Sequence, residues 1–384
     1  MKLFDVYPIL DIELSKSDGS YVFDTKGNIY LDFYGGHAVI SIGHSHPYYV
    51  KALIEQIHKI SYYSNSVYIY QKNRLADLLG NISGYKDYSL FLCNSGTESN
   101  ENALKIASFH TGKKKVIAFK GSFHGRTSGS LSVTDNYKLI SPFNAQHETV
   151  FINYKDFDFL EEKLKNQDIC AVITEGIQGV SGIIDPGLNF FYKVASLCKK
   201  NNTVLIIDEI QSGYGRTGSF FAHQLYPVKP DLITVAKGMG NGFPIGGVLI
   251  HPKFQSYYGM LGTTFGGNHL ACTAGIAVLE IIQKENLIEN AQKMGKILLQ
   301  ELRLISEIKE IRGRGLMIGL EFDFPIQDLK NILVYQEKVL VGTSNNAYVL
   351  RLLPPLNINE NHIKLFLKKL KNALVYLFGK KNGK

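Results

Sequence analysis

The chain has 384 residues, longer than one compact core usually fills, and an apolar fraction of 45%, so two globular domains are expected and a disordered chain is excluded. No apolar run is long enough to cross a bilayer, and Asp5, Asp11 and Glu13 fall where a signal peptide needs an uncharged core, so a cytoplasmic protein is expected. The net charge of +8 is dispersed: the densest basic stretches are Lys113, Lys114 and Lys115 and the tail "FLKKLKNALVYLFGKKNGK", which reads as a terminal helix with a solvated basic face and a frayed end, so no nucleic-acid partner is expected.

In chain order, "GSYVFDTKGNIYLDF" reads as a hairpin split at Lys26-Gly27. This N-terminal segment, 1–40, is expected to pack beside the C-terminal domain. From Tyr88 to about Ile250, apolar runs ("YSLFLC", "KKVIAF", "TVFIN", "ICAVITE", "TVLIIDE", "DLITVAK") alternate with amphipathic stretches such as "TESNENALKIASFHT". Continuous Val/Ile/Leu strands joined by helices predict an α/β fold with a large, mostly parallel sheet covered on both faces, assigned to 41–275. After Asn268 come one or two long helices, the short strands of "IRGRGLMIGLEF" and "AYVLRLL", and a last helix from about Glu360. These make a smaller α+β domain, 276–384. Cys93, Cys170, Cys198 and Cys272 are far apart, and most have apolar neighbours, a pattern of buried reduced thiols rather than disulfides or zinc ligands.

Ligands of open parallel sheets bind beyond the C-terminal ends of the strands, so the residues standing there carry the functional argument. After the first strand, Ser95, Gly96 and Thr97 open a helix whose free N–H groups suit a phosphate, although taken alone a simple cap at Ser95 or Thr97 is the stronger reading. Neither a P-loop nor a spaced-glycine dinucleotide fingerprint is present. Phe123, His124, Gly125 and Arg126 offer a flat ring and a guanidinium, or a packed loop with a structural arginine. Asp208 and Glu209 end a strand where a carboxylate needs a partner, which an ordinary salt bridge would also supply. Lys237 ends the strand of "DLITVAKGMGNGFPIGG", where an apolar pocket turns an ammonium into a nucleophilic amine; a lone lysine more often snorkels to the surface. The glycines after it are expected to leave room for a cofactor and a partner chain. One ligand uses the whole set: pyridoxal 5'-phosphate has a phosphate, a basic ring nitrogen, a flat ring and an aldehyde.

At these residues the sequence resembles the class III aminotransferases of the fold-type I pyridoxal-phosphate superfamily, and within them the acetylornithine (N-acylornithine) aminotransferase group. "NSGTESNENALKIA", "FHGRT", "IIDEIQSGYGRTG", "AKGMGNGFPIGG" and "TTFGGNHLAC" occur in family order over nearly the whole chain. The resemblance implies that Lys237 condenses with the cofactor aldehyde, Asp208 binds the ring nitrogen, Gln211 reaches the ring hydroxyl and Phe123 stacks on the ring. It implies that Gly96 and Thr97 hold the phosphate, completed by Thr264 of a neighbouring subunit, so that a homodimer with shared sites is expected. Glu175 would lie near the substrate side, Arg126 would grip the α-carboxylate of the donor, and Arg351 in "YVLRLLPPL" that of glutamate or 2-oxoglutarate. His44 and His46 in "SIGHSHP" fall in a structural loop, and no metal is expected. One position departs from the pattern: where relatives commonly carry a second Glu, "EGIQGV" has Val180, so Arg351 lacks its usual masking carboxylate and a donor with an extra carboxylate, such as N-succinylornithine, becomes conceivable. The expected reaction moves the terminal amine of N-acetylornithine to 2-oxoglutarate by ping-pong kinetics, as in arginine biosynthesis. Free ornithine or 4-aminobutyrate are alternative donors. A nicotinamide-dependent oxidoreductase on the same kind of sheet would lack its fingerprint and leave Lys237 unexplained, and a non-catalytic scaffold would have no use for Lys237 and Asp208.

Overall fold

The computed structural model describes residues 1–381, so the frayed end expected after the last helix lies outside the described residues. Near the N-terminus, β1 (Leu14–Asp18), β2 (Tyr21–Asp24) and β3 (Ile29–Asp32) form an antiparallel meander. The turn between β2 and β3 falls at the expected place. The Asp24 carboxylate accepts the N–H of Lys26 (3.0 Å) and of Asn28 (2.8 Å), and Gly27 takes φ 83°, a conformation glycine adopts without steric cost.

The large sheet has seven strands: β4 (Ser89–Cys93), β5 (Lys115–Phe119), β6 (Thr149–Ile152), β7 (Ile169–Glu175), β8 (Val204–Asp208), β9 (Leu232–Val235) and β10 (Gly246–Ile250), in the order β4-β10-β9-β8-β7-β5-β6. Pairs from β9 through β6 are parallel, and β10 runs antiparallel to β9 and β4. Every residue of β7 and β8 is buried. Alternate side chains enter two apolar layers: Ala171, Ile173, Val204 and Ile206 meet helix Gly96–Thr111, whereas Val172, Leu205 and Ile207 meet helix Gly187–Lys200. Both faces are therefore covered, which is why these strands read as unbroken apolar runs. Strand β10 was not apparent from the sequence because it begins with two glycines; a Cβ on Gly246 would stand 2.6 Å from the Ser95 carbonyl oxygen.

Two helices follow, His269–Lys284 and Leu287–Leu302. The expected boundary at 275/276 lies inside the first of them. Then β11 (Ile308–Arg314), β12 (Met317–Phe322), β14 (Gly342–Thr343) and β15 (Val349–Leu352) form an antiparallel sheet in the order β11-β12-β15-β14, and helix Glu360–Lys381 closes the chain's described part. The short β13 (Val339–Leu340) pairs in parallel with β3, which joins the N-terminal segment to the C-terminal region. All four cysteines are buried and unpaired. No helix among the described residues is long and apolar enough to cross a membrane, and no cluster of three or more His, Cys, Asp or Glu could hold a metal ion. Instead His44 pairs with Asp32 and His46 with Glu285, both at 2.8 Å.

Candidate active site

A cavity of about 370 Å³ opens at the C-terminal ends of β7, β8 and β9. Ser95, Gly96, Thr97, Phe123, Arg126, Glu175, Asp208, Gln211 and Lys237 all line it. Thus nine of the residues singled out above, drawn from 142 positions of sequence between Ser95 and Lys237, converge on one volume.

Lys237 follows β9 at φ 46°, so the strand turns sharply and the side chain leaves the sheet toward the cavity. It forms no ion pair among the described residues. Burial lowers its pKa, and nearby Arg351 acts in the same direction, while Asp208 and Glu175 oppose them. The glycine-rich segment after it has a more local explanation than room for a cofactor and partner. A Cβ on Gly240 would stand 2.1 Å from the Phe243 carbonyl oxygen, so backbone folds on backbone here.

Asp208 ends β8 and is 4% exposed. Its Oδ2 accepts from Asn100 Nδ2 (2.8 Å) and His124 Nδ1 (2.7 Å), and its Oδ1 from the Ile210 N–H (3.0 Å). Asn100 also donates to the His124 carbonyl (2.7 Å) and accepts from Thr234 Oγ1 (2.8 Å). Neither Asn100 nor His124 had been given a role from sequence, though both lie within quoted stretches, "TESNENALK" and "FHGRT". His124 Nε2, on the far side of the same ring, is buried without a hydrogen-bond partner.

Glu175 ends β7 and accepts from the N–H of Phe123 (3.1 Å) and Gly179 (2.9 Å). Burial pushes its carboxyl up to about 7, Asp208 adds to the rise, and His124 opposes it. Ser95 caps helix Gly96–Thr111 by accepting from the Glu98 N–H (3.3 Å). The Gly96 and Thr97 N–H groups are left open at the helix start. Thr97 Oγ1 is engaged elsewhere: it accepts from the N–H of Arg126 (3.1 Å) and Thr127 (3.2 Å), pinning the 123–130 loop over the helix. The Arg126 guanidinium lies 5.9 Å from the Phe123 ring centroid and is exposed at the cavity mouth.

Arg351 lies on β15, in the other sheet, and is 3% exposed. It donates from Nε to the Thr343 carbonyl (2.5 Å) and from Nη1 to Gln211 Oε1 (3.4 Å), and Nη2 stands 3.5 Å from Tyr34 Oη. No carboxylate pairs with it among the described residues; Val180 instead lines the cavity wall. Both cross-strand neighbours of Arg351 are glycines, Gly319 on β12 and Gly342 on β14. A Cβ on Gly342 would stand 2.1 Å from the Tyr34 ring, and one on Gly179 would stand 1.8 Å from Gln211 Oε1. Glycine at these two positions lets Tyr34 and Gln211 reach the arginine. Thr264 does not line this cavity. It is exposed beside Tyr62, whose hydroxyl donates to the Thr264 carbonyl (3.4 Å).

The residues present fit pyridoxal phosphate. An amine without an ion pair, an anchored carboxylate, an aromatic face and two open helix N–H groups share one cavity, which is the complement of an aldehyde, a ring nitrogen, a ring and a phosphate.

Comparisons with known proteins agree with this geometry. The class-III aminotransferase family model matches residues 5–374. The acetylornithine aminotransferase of Bacillus subtilis (strain 168) is 37% identical over 381 residues, covering 97% of this chain and 98% of that protein. That of Archaeoglobus fulgidus is 37% identical over 94% of this chain and 95% of its own. Among solved structures, an ornithine aminotransferase from Toxoplasma gondii, with PLP at partial occupancy in its active site, superposes with a TM-score of 0.92 at 28% identity, covering 99% of this chain and 94% of that one. The acetylornithine aminotransferase of Elizabethkingia anophelis gives 0.84 at 28% identity, covering 97% and 96%. With its strand-end lysine, its anchored carboxylate and this match along almost its full length, the chain belongs to the class-III aminotransferase family.

Proposed function

We propose that the protein is a pyridoxal-phosphate-dependent aminotransferase that moves the terminal amine of N-acetyl-L-ornithine to 2-oxoglutarate, giving N-acetylglutamate 5-semialdehyde and glutamate, a step of arginine biosynthesis. The observation that carries this reading is the half-buried Lys237, without an ion pair among the described residues, facing the cavity that Asp208 shares, in a chain 37% identical to acetylornithine aminotransferases.

When bound, pyridoxal phosphate supplies an aldehyde for the amine and a ring that takes up the electrons of the broken C–H bond. Asp208 would face that ring's nitrogen, and Asn100 and His124 fix the orientation of its carboxylate. The open N–H groups of Gly96 and Thr97 hold the phosphate, and Phe123 supplies the flat face. Burial lowers the pKa of Lys237 and so favours its free amine, whose Nζ would take the proton from the amine-bearing carbon of the donor and later return it. A base so placed contributes roughly 10²–10⁴-fold. Arg126 at the mouth binds the α-carboxylate of the donor, which leaves the distal amine at Lys237. Arg351 binds the carboxylate of 2-oxoglutarate next to its keto carbon.

The working form is a homodimer in the cytoplasm, with Thr264 completing the phosphate site of the partner subunit. Support for the dimer comes from the aromatic side chains exposed in the segments 62–68 and 258–265, Tyr62, Tyr63, Tyr68, Tyr258 and Phe265, which meet where Tyr62 touches Thr264 and Phe265. Exposed apolar patches of this kind mark interaction surfaces.

Single-turnover half-reactions with N-acetylornithine, N-succinylornithine, ornithine, lysine and 4-aminobutyrate test the donor. The expected result is the fastest conversion with N-acetylornithine. A clear preference for the succinyl donor would overturn the acetyl assignment while keeping the reaction class.

A further inference from the structure

The corner that holds Arg351 is built from a strained turn. Gly35, Gly36, His37 and Ala38 all take positive φ (55°, 54°, 68° and 64°), and the Ala38 and Val39 N–H groups donate to the carbonyls of Tyr34 and Gly35, four residues back. The segment is one turn of left-handed helix. Left-handed backbone is sterically unfavourable at non-glycine residues, so His37 and Ala38 hold this conformation against a penalty. Asp32 secures it: Oδ1 accepts from the N–H of Tyr34 (2.9 Å) and Gly35 (2.8 Å), while Oδ2 faces His44 Nε2 (2.8 Å). Strain that is over-determined by its surroundings collects at functional sites.

The turn brings His37 Nδ1 into hydrogen-bond contact with Tyr34 Oη, the hydroxyl that faces Arg351 Nη2. The Tyr34 ring centroid lies 6.0 Å from the guanidinium, in the space opened by Gly342. The backbone of His37 also takes part, since its carbonyl accepts from Gln211 Nε2 (3.2 Å) while Gln211 Oε1 accepts from Arg351. His37 is exposed on the single chain, yet the protein beside it and the cations Arg351 and Lys237 push its imidazole down to about 4, so it is neutral at neutral pH. The acidic groups that act on this corner through space are otherwise engaged: Asp32 with the turn and His44, Glu175 with the N–H groups of Phe123 and Gly179. Arg351 is therefore held by neutral partners alone.

We propose that His37 is a specificity-determining residue: through the Tyr34 hydroxyl it holds the Arg351 guanidinium by an uncharged hydrogen bond that persists when a substrate carboxylate binds, so that binding breaks no ion pair. With the phenol proton directed to His37 Nδ1, the lone pairs of Oη point at the guanidinium, and the corner stays ready for dicarboxylates that carry one carboxylate beside the reacting carbon. Ligands without a carboxylate at that end have no use for the arrangement. The inference rests on the reading of 2-oxoglutarate as the amine acceptor.

The test is calorimetric titration of the holoenzyme with glutarate, an unreactive dicarboxylate of the same length as 2-oxoglutarate. His37→Gly removes the imidazole and suits the positive φ; His37→Asn tolerates the same backbone and keeps a polar acceptor. Loss of one hydrogen bond corresponds to about 1 kcal/mol, so His37→Gly and Tyr34→Phe are each expected to weaken glutarate about fivefold. The double variant is expected to weaken it no more than either single one, and His37→Asn is expected to stay within about twofold of the parent. In turnover, the KM for 2-oxoglutarate rises in His37→Gly while the KM for N-acetylornithine holds. Unchanged glutarate affinity in His37→Gly, or additive losses in the double variant, overturns the proposal. A parent enzyme that binds no glutarate overturns the acceptor reading and this inference with it, whereas binding by the parent with an unaffected His37→Gly overturns the inference alone.

Discussion

Asp208 and Glu209 are neighbours in the chain, both almost inaccessible, and each meets a histidine at close range: His124 at 2.7 Å and His223 at 2.8 Å. They open into different regions. Glu209 turns away from the cavity, and its two oxygens accept from Ser212 Oγ, the N–H groups of Ala222 and His223, and His223 Nδ1, while His223 Nε2 meets the Tyr85 hydroxyl. Asp208 lines the cavity, and beyond its partner His124 lies an unpartnered ring nitrogen. Burial and a histidine partner are thus common to both and decide nothing; what separates a structural carboxylate from a functional one is which side of the strand end it faces.

The largest effect should come from Lys237, which lines the cavity together with Asp208. Lys237→Ala is expected to lower kcat by at least about 10³-fold, within the range for removing a positioned base, in a protein whose circular dichroism is unchanged. Asp208→Asn is expected to lower kcat by about 10²–10³-fold, the size of effect seen when one preorganised electrostatic partner is lost, in a protein that still folds. Glu209→Gln should do the reverse, lowering stability by roughly 1–3 kcal/mol because buried donors lose their anion, with kcat of the folded enzyme within a few-fold. Denaturant melts and kcat of both variants check the comparison, and a Glu209→Gln enzyme that is stable but inactive would break it.

Glu175 supplies a subtler probe of the same side. Its folded pKa of about 7 exceeds the ordinary carboxylate value of 4.5, so the folded state holds the extra proton between these values. Stability contributed by this group is therefore complete below about 4.5 and is lost as pH rises through about 7, a change of roughly 3 kcal/mol at most. Denaturant melts of the cofactor-free protein between pH 5 and 8 should show this slope in the parent and a flatter one in Glu175→Gln. The smallest expected effect lies at the rim. Arg126→Ala should raise the KM for the amino donor about tenfold, the scale of a charge-assisted hydrogen bond, and raise that for 2-oxoglutarate less. The opposite order would exchange the two arginines.

The cavity floor was legible in the sequence because strand ends are. Continuous apolar runs mark β7, β8 and β9, and the first charged residue at the end of each, Glu175, Asp208 and Lys237, stands where open parallel sheets bind their ligands. The supports of those residues were not legible. Asn100 reaches Asp208 from 108 positions away in the chain, and His124 from 84, and no local pattern encodes either contact. The corner around Arg351 was half visible. Val180 announced a missing carboxylate, but the neutral partners that replace it, Tyr34 and His37, lie more than 300 residues from Arg351 in sequence and reach it through a left-handed turn that the adjacent Gly35-Gly36 only hinted at. In β10 the two glycines that hid the strand are the ones its tight packing against Phe91 and Ser95 requires.

The pairing of β15 carries one more consequence. Arg351 sits opposite Gly319 and Gly342 by a definite alignment of three strands, and neighbouring side chains on a strand point to opposite faces of the sheet. A deletion of a single residue in the loop 345–348 that slid β15 by one position would turn the guanidinium to the other face and put an aliphatic chain in its place. The lysine and aspartate belong to a different sheet and would keep their positions. On the role proposed for Arg351, such an enzyme would still accept amines and lose only its grip on keto acids, so that one small loop would govern which half of the exchange can run.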